Sequence, residues 1–489
     1  MYISKIIRLK GVFLLAVSLS EFKREYTKAI TEGYAAIFAG AGLSRSSGYV
    51  NWKELLRTIA QDINLDVDRE TDLIAVAQYY KNERGGRRGD INQIILNEFT
   101  KNSQENINIE ILTRLPIDTY WTTNYDELIE KNLEKNNRKP DIKTTQNSLA
   151  NNIYDRDAVV YKMHGDVRNP SEAVITKDDY ETYNIKRALF STALQGDLIS
   201  KTFLFIGFSF EDPNLEYILS RIKVLLGENT RTHYCFLKKV LREDYENEKE
   251  YDYMQIKQDL KVKDLNRYGI EAVLLDDYTQ ITEILFEIEN KYRLNNIFIS
   301  GSADEFDENW NREKAIRFMH LLSKRLVENN YKIISGFGNG VGSSIINGAL
   351  EEIMATKYRH LDEHLCLRPF PQIQSGDKTL SELWDSYRKE MISDSGIDIF
   401  IFGNKKEGDK TVIADGVLKE YKIAKERKKY IIPIGSTGYA AREIFEEVKT
   451  NIHEYPYIKD FLVDLENETD ENNLVLVVLK IISEIKRTH

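Results

Sequence analysis

The chain is 489 residues long, room for roughly two to four domains of 100–200 residues each. With 42% hydrophobic, 30% charged and 11% aromatic residues, it has the composition of a globular protein with material for two sizeable cores. A formal net charge of -10 excludes a nucleic acid or an anionic membrane as the main partner, since phosphate binding needs a basic footprint, though a local basic pocket stays open.

The two cysteines, Cys235 and Cys366, lie in different halves. They exclude a disulfide framework and a four-cysteine zinc site, and they fit a reducing, cytoplasmic setting. The seven histidines are scattered without a ligand-spaced pair, so no metal is expected.

At the N-terminus, Lys5, Arg8 and Lys10 precede the apolar run GVFLLAVSL (11–19). That is the layout of a short signal-peptide core. The alternative is a short helix, or an upstream start, ahead of the first domain. The run is too short to span a bilayer, and no other stretch does better. Residues 1–19 are therefore set apart as an extension. Ser18 and Glu21 carry a capping-box signature for a helix over about 20–32.

A strand over 35–40 follows and ends in GAGLS (40–44). Helical patterns cover 52–63, 71–81 and 91–100. Further short apolar runs occupy 119–124, 158–166, 202–210, 233–239 and 271–277. Such runs alternating with helical patterns predict a parallel sheet wrapped by helices. A helix over 278–293 closes this half. At Asn296 the pattern restarts, with strands at 296–303, 331–335, 397–404 and 429–436 and helices at 314–330 and 414–426. The prediction is an α/β protein of two domains, 20–293 and 294–489, each a parallel sheet flanked by helices.

Polar clusters end the strands of the first half: GAGLS, TTNYD (122–126), HGD (164–166) and GFSFEDPN (207–214). Ligands of open parallel sheets bind outside the carboxyl ends of the strands, so four such clusters point into one crevice. Gly40 and Gly42 either make a tight turn or let backbone N–H groups approach a phosphate. Asn124 and Asp126 are candidate ligand contacts and equally good caps for the next helix. His164 has the right chemistry for a base near neutrality. Ser209 is a site candidate or a plain strand-end serine. In the second half, SGSADE (300–305) and SGFGNGVGSS (335–344) are glycine-rich strand–helix junctions, the second a richer phosphate cradle. Arg368 sits in a proline-stiffened loop suited to bidentate phosphate binding. Arg388 and Lys389 read as a solvated basic helix face, and Glu420 as either a ribose contact or a solvent-facing carboxylate.

GAGLS, TTNYD, HGD and GFSFEDPN, in this order and spacing, resemble the sirtuin-like NAD-binding fold, and ITKDDY (175–180) its defence-associated bacterial branch. The resemblance covers roughly 30–290. It implies that the glycine loop holds the NAD pyrophosphate, that Asn124 lies near the nicotinamide ribose and that His164 is the catalytic base. Ala39, Gly40, Ala41, Gly42, Ser44, Asp126, Gly207, Ser209 and Asp212 then make up the NAD-binding set. Two features depart from the deacylases of that family. The paired zinc cysteines are missing, and Gly48-Tyr49-Val50-Asn51-Trp52 stands where a deacylase has a Pro–Phe–Arg run. Water thus becomes the expected acceptor, giving ADP-ribose and nicotinamide.

The strand–SGSA junction, ISGFGNGVGS and GVLKEYKIA resemble the SLOG nucleotide-sensing family. The combination resembles the effectors of the Thoeris antiphage system. It implies a homo-oligomer, a tetramer with larger assemblies open, that depletes NAD+ during phage infection. The implied activator is a cyclic ADP-ribose isomer made by a toll/interleukin-receptor-domain partner. Its implied contacts are Gly301, Ser302, Gly336, Gly338, Gly340, Gly342, Ser343 and Arg368, with Lys389 and Glu420 as weaker ones. Two other readings remain: an NAD-dependent deacylase or ADP-ribosyltransferase, and a non-catalytic nucleotide sensor.

Overall fold

A computed structural model of the chain describes residues 7–9, 12–14, 16–227, 229–357, 359–374 and 376–488. The chain forms two compact units, Met1–Glu289 and Asn290–His489.

In the first unit, β1 (Ile7–Leu9) pairs antiparallel with β2 (Val12–Leu14). Here the described residues are extended, not helical, in keeping with the strand preference of Ile, Val and Phe. The helix Leu19–Thr31 follows, and the Ser18 hydroxyl caps it by accepting from Glu21 N at 3.2 Å. The main sheet contains β3 (Ala35–Ala39), β4 (Thr119–Thr122), β5 (Pro140–Lys143), β6 (Ala158–Lys162), β7 (Thr202–Ile206), β8 (His233–Lys238) and β9 (Ile270–Leu275). Its order is β5-β6-β4-β3-β7-β8-β9, and every pairing is parallel. Aromatics fill its faces: buried Trp121 stacks on half-buried Tyr161 at 4.2 Å, and buried Phe38 on buried Phe205 at 5.2 Å. Strand β5 is absent from the sequence-based expectation because its residues, Pro-Asp-Ile-Lys, do not read as a strand. The structure accommodates them at a sheet edge, where a first-position proline costs no ladder bond. Lys143 pairs there with Asp141 at 2.9 Å, both buried, and Arg156 joins at 2.6 Å.

The second unit contains β10 (Asn296–Ser302), β11 (Lys332–Ser335), β12 (Leu365–Leu367), β13 (Ile397–Phe402), a hairpin of β14 (Asn404–Glu407) and β15 (Lys410–Ile413), and β16 (Tyr430–Pro433). The sheet order is β12-β11-β10-β13-β16, again all parallel. Three-residue β12 and the charged hairpin are too short or too polar to carry a strand signal. Trp310 is buried in the core and donates its indole N–H to Ser436 O at 2.8 Å.

In each unit the first strand of the parallel sheet is central. β3 lies between β4 and β7, and β10 between β11 and β13. The chain therefore leaves to one side of the first strand and later returns on the other. Loops diverge at that switch point and open a crevice.

The helices Arg312–Glu328 and Gly342–Ala355 pack closely through Gly348, where a Cβ would collide with His320 O and the Ser323 hydroxyl. Gly348→Ala is expected to cost about 1–3 kcal/mol by overpacking, read as a lowered denaturation midpoint of the second unit.

Candidate active site

A cavity of about 730 Å³ opens at the carboxyl ends of β3, β4, β6 and β7. That volume suits a cofactor-sized ligand. Ala41, Gly42, Ser44, Asn124, Asp126, His164, Gly207, Ser209 and Asp212 all line it. Ala39 does not: it is buried in β3, and its carbonyl accepts the Thr122 hydroxyl at 3.0 Å. Gly40 contributes its carbonyl to Asn124.

The glycines have a packing reason. The loop after β3 lies directly against the loop after β7. A Cβ on Gly40 would collide with Gly207 O, and one on Gly42 would come within 2.8 Å of Gly207 Cα. Gly207 itself has φ +65°, and a Cβ there would strike Leu43 N. Gly42 N donates to Gly207 O at 2.9 Å.

Ser44 sits at the centre of a polar web. Its hydroxyl donates to Asp126 Oδ2 at 2.7 Å and accepts from Asn124 Nδ2 at 2.9 Å. Asn124 Nδ2 also donates to Gly40 O at 3.0 Å. Asp126 uses its second oxygen to accept from Leu128 N at 3.0 Å, so it serves the next helix and the cavity wall together. His164 follows β6, and its Nε2 lies 3.1 Å from Asp212 Oδ2. Burial works to raise the Asp212 carboxyl, but the imidazole and two backbone N–H groups outweigh it and hold the group below its ordinary value. Tyr180 covers His164 edge-on at 5.7 Å. Burial and the neighbouring Asp212 push its phenol well up. Leu55, Leu73, Ile74 and Phe99 add an apolar wall to the lining, with Asn51, Lys53, Thr71 and Asp72 beside them in the chain.

A buried cation lies beneath this web. Lys162, at the end of β6, pairs with Asp166 at 2.6 Å and Glu130 at 3.0 Å and donates to the carbonyls of Tyr125 and Asp126. Desolvation opposes its charge, but the surrounding carboxylates win and raise its pKa. Asp166 is correspondingly lowered; burial opposes this, and Arg168 and Lys162 overcome it. The lysine thereby ties the segment carrying Asn124 and Asp126 to the strand that leads into His164.

In the second unit, Gly301 and Ser302 end β10, and the 336–342 loop follows β11. Gly336 packs against Phe370, and Gly342 against Phe337, where a Cβ would reach within 2.9 and 2.7 Å. A Cβ on Gly338 would collide with Gly301 O, and one on Gly340 with Ala303 O. Here too the glycines let two strand-end loops touch. Ser343 is exposed in the first turn of the helix Gly342–Ala355. Glu420 is buried, not solvent-facing: it accepts from Ser300 Oγ at 2.5 Å and pairs with Arg388 Nε at 3.4 Å. Burial pushes its carboxyl up against both partners. Arg388 is also buried and lies over the Phe370 ring at 4.9 Å, so the solvated-face expectation fails for it. Lys389 is exposed. Arg368 spends its guanidinium on Glu390 at 3.3 Å and Asp394 at 3.6 Å.

The comparisons with known proteins match this architecture. Residues 118–258 match the SIR2-like domain, and 280–485 match the Sir2- and TIR-associating SLOG family. The NAD(+) hydrolase ThsA of Bacillus cereus (strain MSX-D12) is 50% identical over 434 residues, 89% of this chain and 90% of its own. The ThsA proteins of Cytobacillus dafuensis and Acinetobacter baumannii (strain 532279) are 47% and 44% identical, over 95% and 91% of this chain and 96% and 94% of theirs. The chain belongs to the ThsA family.

Three members of these sites, Trp52, Tyr180 and Arg388, carry no site role in the motif-by-motif reading. Trp52 lines the cavity because Asn51 is the capping-box residue of the helix Trp52–Asp62 and so fixes where that helix starts. Tyr180 arrives from a short helix. Arg388 could have been found by periodicity, since Trp384, Arg388 and Met391 share one face of the helix Leu380–Ser393. Among the described residues no group of three or more His, Cys, Asp or Glu side chains is placed to hold a metal, and no helix is long and apolar enough to cross a membrane.

Lys162→Met is expected to lose about 3–5 kcal/mol of stability, since it leaves Asp166 and Glu130 buried without their cation. Chemical denaturation of the two proteins side by side checks this.

Proposed function

We propose that this chain is an NAD+ hydrolase whose N-terminal cavity cleaves the nicotinamide–ribose bond, switched on when a cyclic ADP-ribose-type nucleotide binds the second unit. Membership of the ThsA family carries the reaction class. The convergence of Ser44, Asn124, Asp126 and His164 on one cavity supports its location.

Breaking the C1′–N bond leaves positive charge on the ribose and sends the electron pair to a neutral leaving nicotinamide. Asn124 and Ser44, already hydrogen-bonded together, are preorganised to fix ribose hydroxyls. His164 takes the proton of the attacking water as the new C1′–O bond forms; a placed general base is typically worth about 10²–10⁴ in rate. The acidic Asp126 and Asp212 favour the developing cation. Trp52 lines the cavity from the segment that stands where a deacylase has its Pro–Phe–Arg run, which supports water as acceptor.

In the second unit, Gly301, Ser302 and the 336–342 loop provide backbone for phosphate groups. The buried Arg388–Glu420–Ser300 cluster supplies a cation and a ribose-binding carboxylate. This cluster is a better anchor than Lys389, and Arg368 serves as an outer contact. Toggling a resting 1:99 equilibrium to 99:1 takes about 5.5 kcal/mol of differential ligand affinity. Rearrangement of a homo-oligomer, a tetramer or larger, is the bistable element we assign to it. A partner protein with a toll/interleukin-receptor domain supplies the nucleotide, and the outcome is NAD+ depletion in the cytoplasm during phage infection.

Nicotinamide release from NAD+, followed with and without a panel of cyclic ADP-ribose isomers, tests this reading. Release should depend on one isomer and vanish in His164→Ala; NAD+ binding without release under any isomer would leave only a sensor. Glu420→Gln and Arg388→Ala are expected to raise the activating concentration at least about tenfold, the equivalent of about 1.4 kcal/mol of lost binding, while NAD+ affinity stays unchanged by calorimetry.

A further inference from the structure

Asp212 has a narrower task than binding NAD+. Its Oδ2 stands 3.1 Å from His164 Nε2, with both side chains more than nine-tenths buried. Nε2 makes no other polar contact among the described residues, so the Asp212 carboxylate is the group that faces it. Three anchors hold that carboxylate. Oδ1 accepts from Asn214 N and Leu215 N, each at 3.0 Å, as the N-cap of the helix Pro213–Leu226. The Tyr180 hydroxyl donates to Oδ2 at 3.4 Å. Tyr180 and Tyr183 also enclose the imidazole edge-on, at 5.7 and 6.3 Å. A buried carboxylate pinned by a helix terminus and aimed at the one histidine of the cavity has the layout of an orienting partner.

We infer that Asp212 is the positioning residue of His164, fixing the ring in the cavity and stabilising the imidazolium formed when His164 takes the proton of the attacking water. The inference rests on the NAD+ hydrolase reading. In that step the C1′–N electron pair leaves with nicotinamide, water oxygen bonds to C1′, and the water proton resides on His164 until solvent accepts it. Asp212 stays ionised throughout and exchanges no proton. Its ionised form is held by the same two backbone N–H groups that make it a cap, so one residue couples the start of a helix to the state of the base.

The deciding variant is Asp212→Asn, because asparagine caps a helix as well as aspartate and removes only the charge. With the activating isomer present, kcat should fall about 30- to 1,000-fold, a large part of what a general base supplies. KM should move less than about threefold, and the melting midpoint should stay within about 2 °C. Asp212→Glu should recover part of the rate, and Tyr180→Phe should lose about two- to tenfold. Unchanged kcat in D212N overturns the inference. A raised KM at unchanged kcat would return Asp212 to substrate binding. Activity gained without the isomer would make the pair a resting latch and would overturn it equally. Absence of release by the unmodified chain sinks the hydrolase reading and this inference together, so the two failures are distinguishable.

Discussion

Backbone touches backbone at the switch point of the first sheet. Gly207 presses on Gly42 and Leu43 with no side chain between them. Because β3 and β7 are neighbours, the loops that leave them must share one small space, and only residues without a Cβ fit. The geometry of the cavity follows from this contact. It brings Ser44 to Asn124 and Asp126 on one side and places the 207–212 segment, with Asp212, beside His164 on the other. The same solution recurs in the second unit, where Gly338 and Gly340 lie against the backbone of 301–303. A glycine-rich loop is thus first a device for packing two strand ends together, and its open backbone becomes available to a ligand as a result.

Both units also bury a cation among carboxylates next to these loops. Lys162 has Asp166 and Glu130, and Arg388 has Glu420 and Asp385. Burying such groups costs desolvation that their mutual attraction only partly offsets, so stability alone is a poor reason to keep them. Their geometry gives a better one. Lys162 holds two backbone carbonyls of the segment that carries Asn124 and Asp126, while Arg388 lies on an aromatic ring and faces the carboxylate bound by Ser300. Each buried charge turns a strand-end loop, ordinarily the mobile part of such a fold, into a fixed wall.

The segment after the first glycine loop shows how a local signal changes a site. Asn51 reads as a helix cap, and it is one, with Glu54 completing the reciprocal pair of hydrogen bonds. That places Trp52 and Val50 on the cavity, where they join the apolar wall. The wall residues come from three helices, Trp52–Asp62, Leu73–Glu83 and Gly89–Phe99, whose sequences show only ordinary amphipathic spacing, so nothing in the pattern distinguishes those residues from core.

The sequence by itself determined the two-unit α/β architecture and the clustering of polar residues at strand ends. Alternating apolar runs and helical periods are local properties, and burial on both faces of a parallel strand leaves an unmistakable run such as AAIFA or TFLFI. His164, Asn124 and the glycine loops were legible for the same reason, each being the residue at which such a run stops. Tertiary structure decided what short-range pattern does not encode. Strand β5 exists because Asp141 and Lys143 neutralise each other at a sheet edge. Glu420 and Arg388 are buried because they meet Ser300 and Phe370 from other elements. Asp212 faces His164 because β6 and β7 deliver their loops to one crevice from opposite sides of β4 and β3. For Glu420, Arg388 and Asp212 the deciding partner is distant in the chain, and a charge looks solvent-facing in a sequence until the group that neutralises it has been brought alongside.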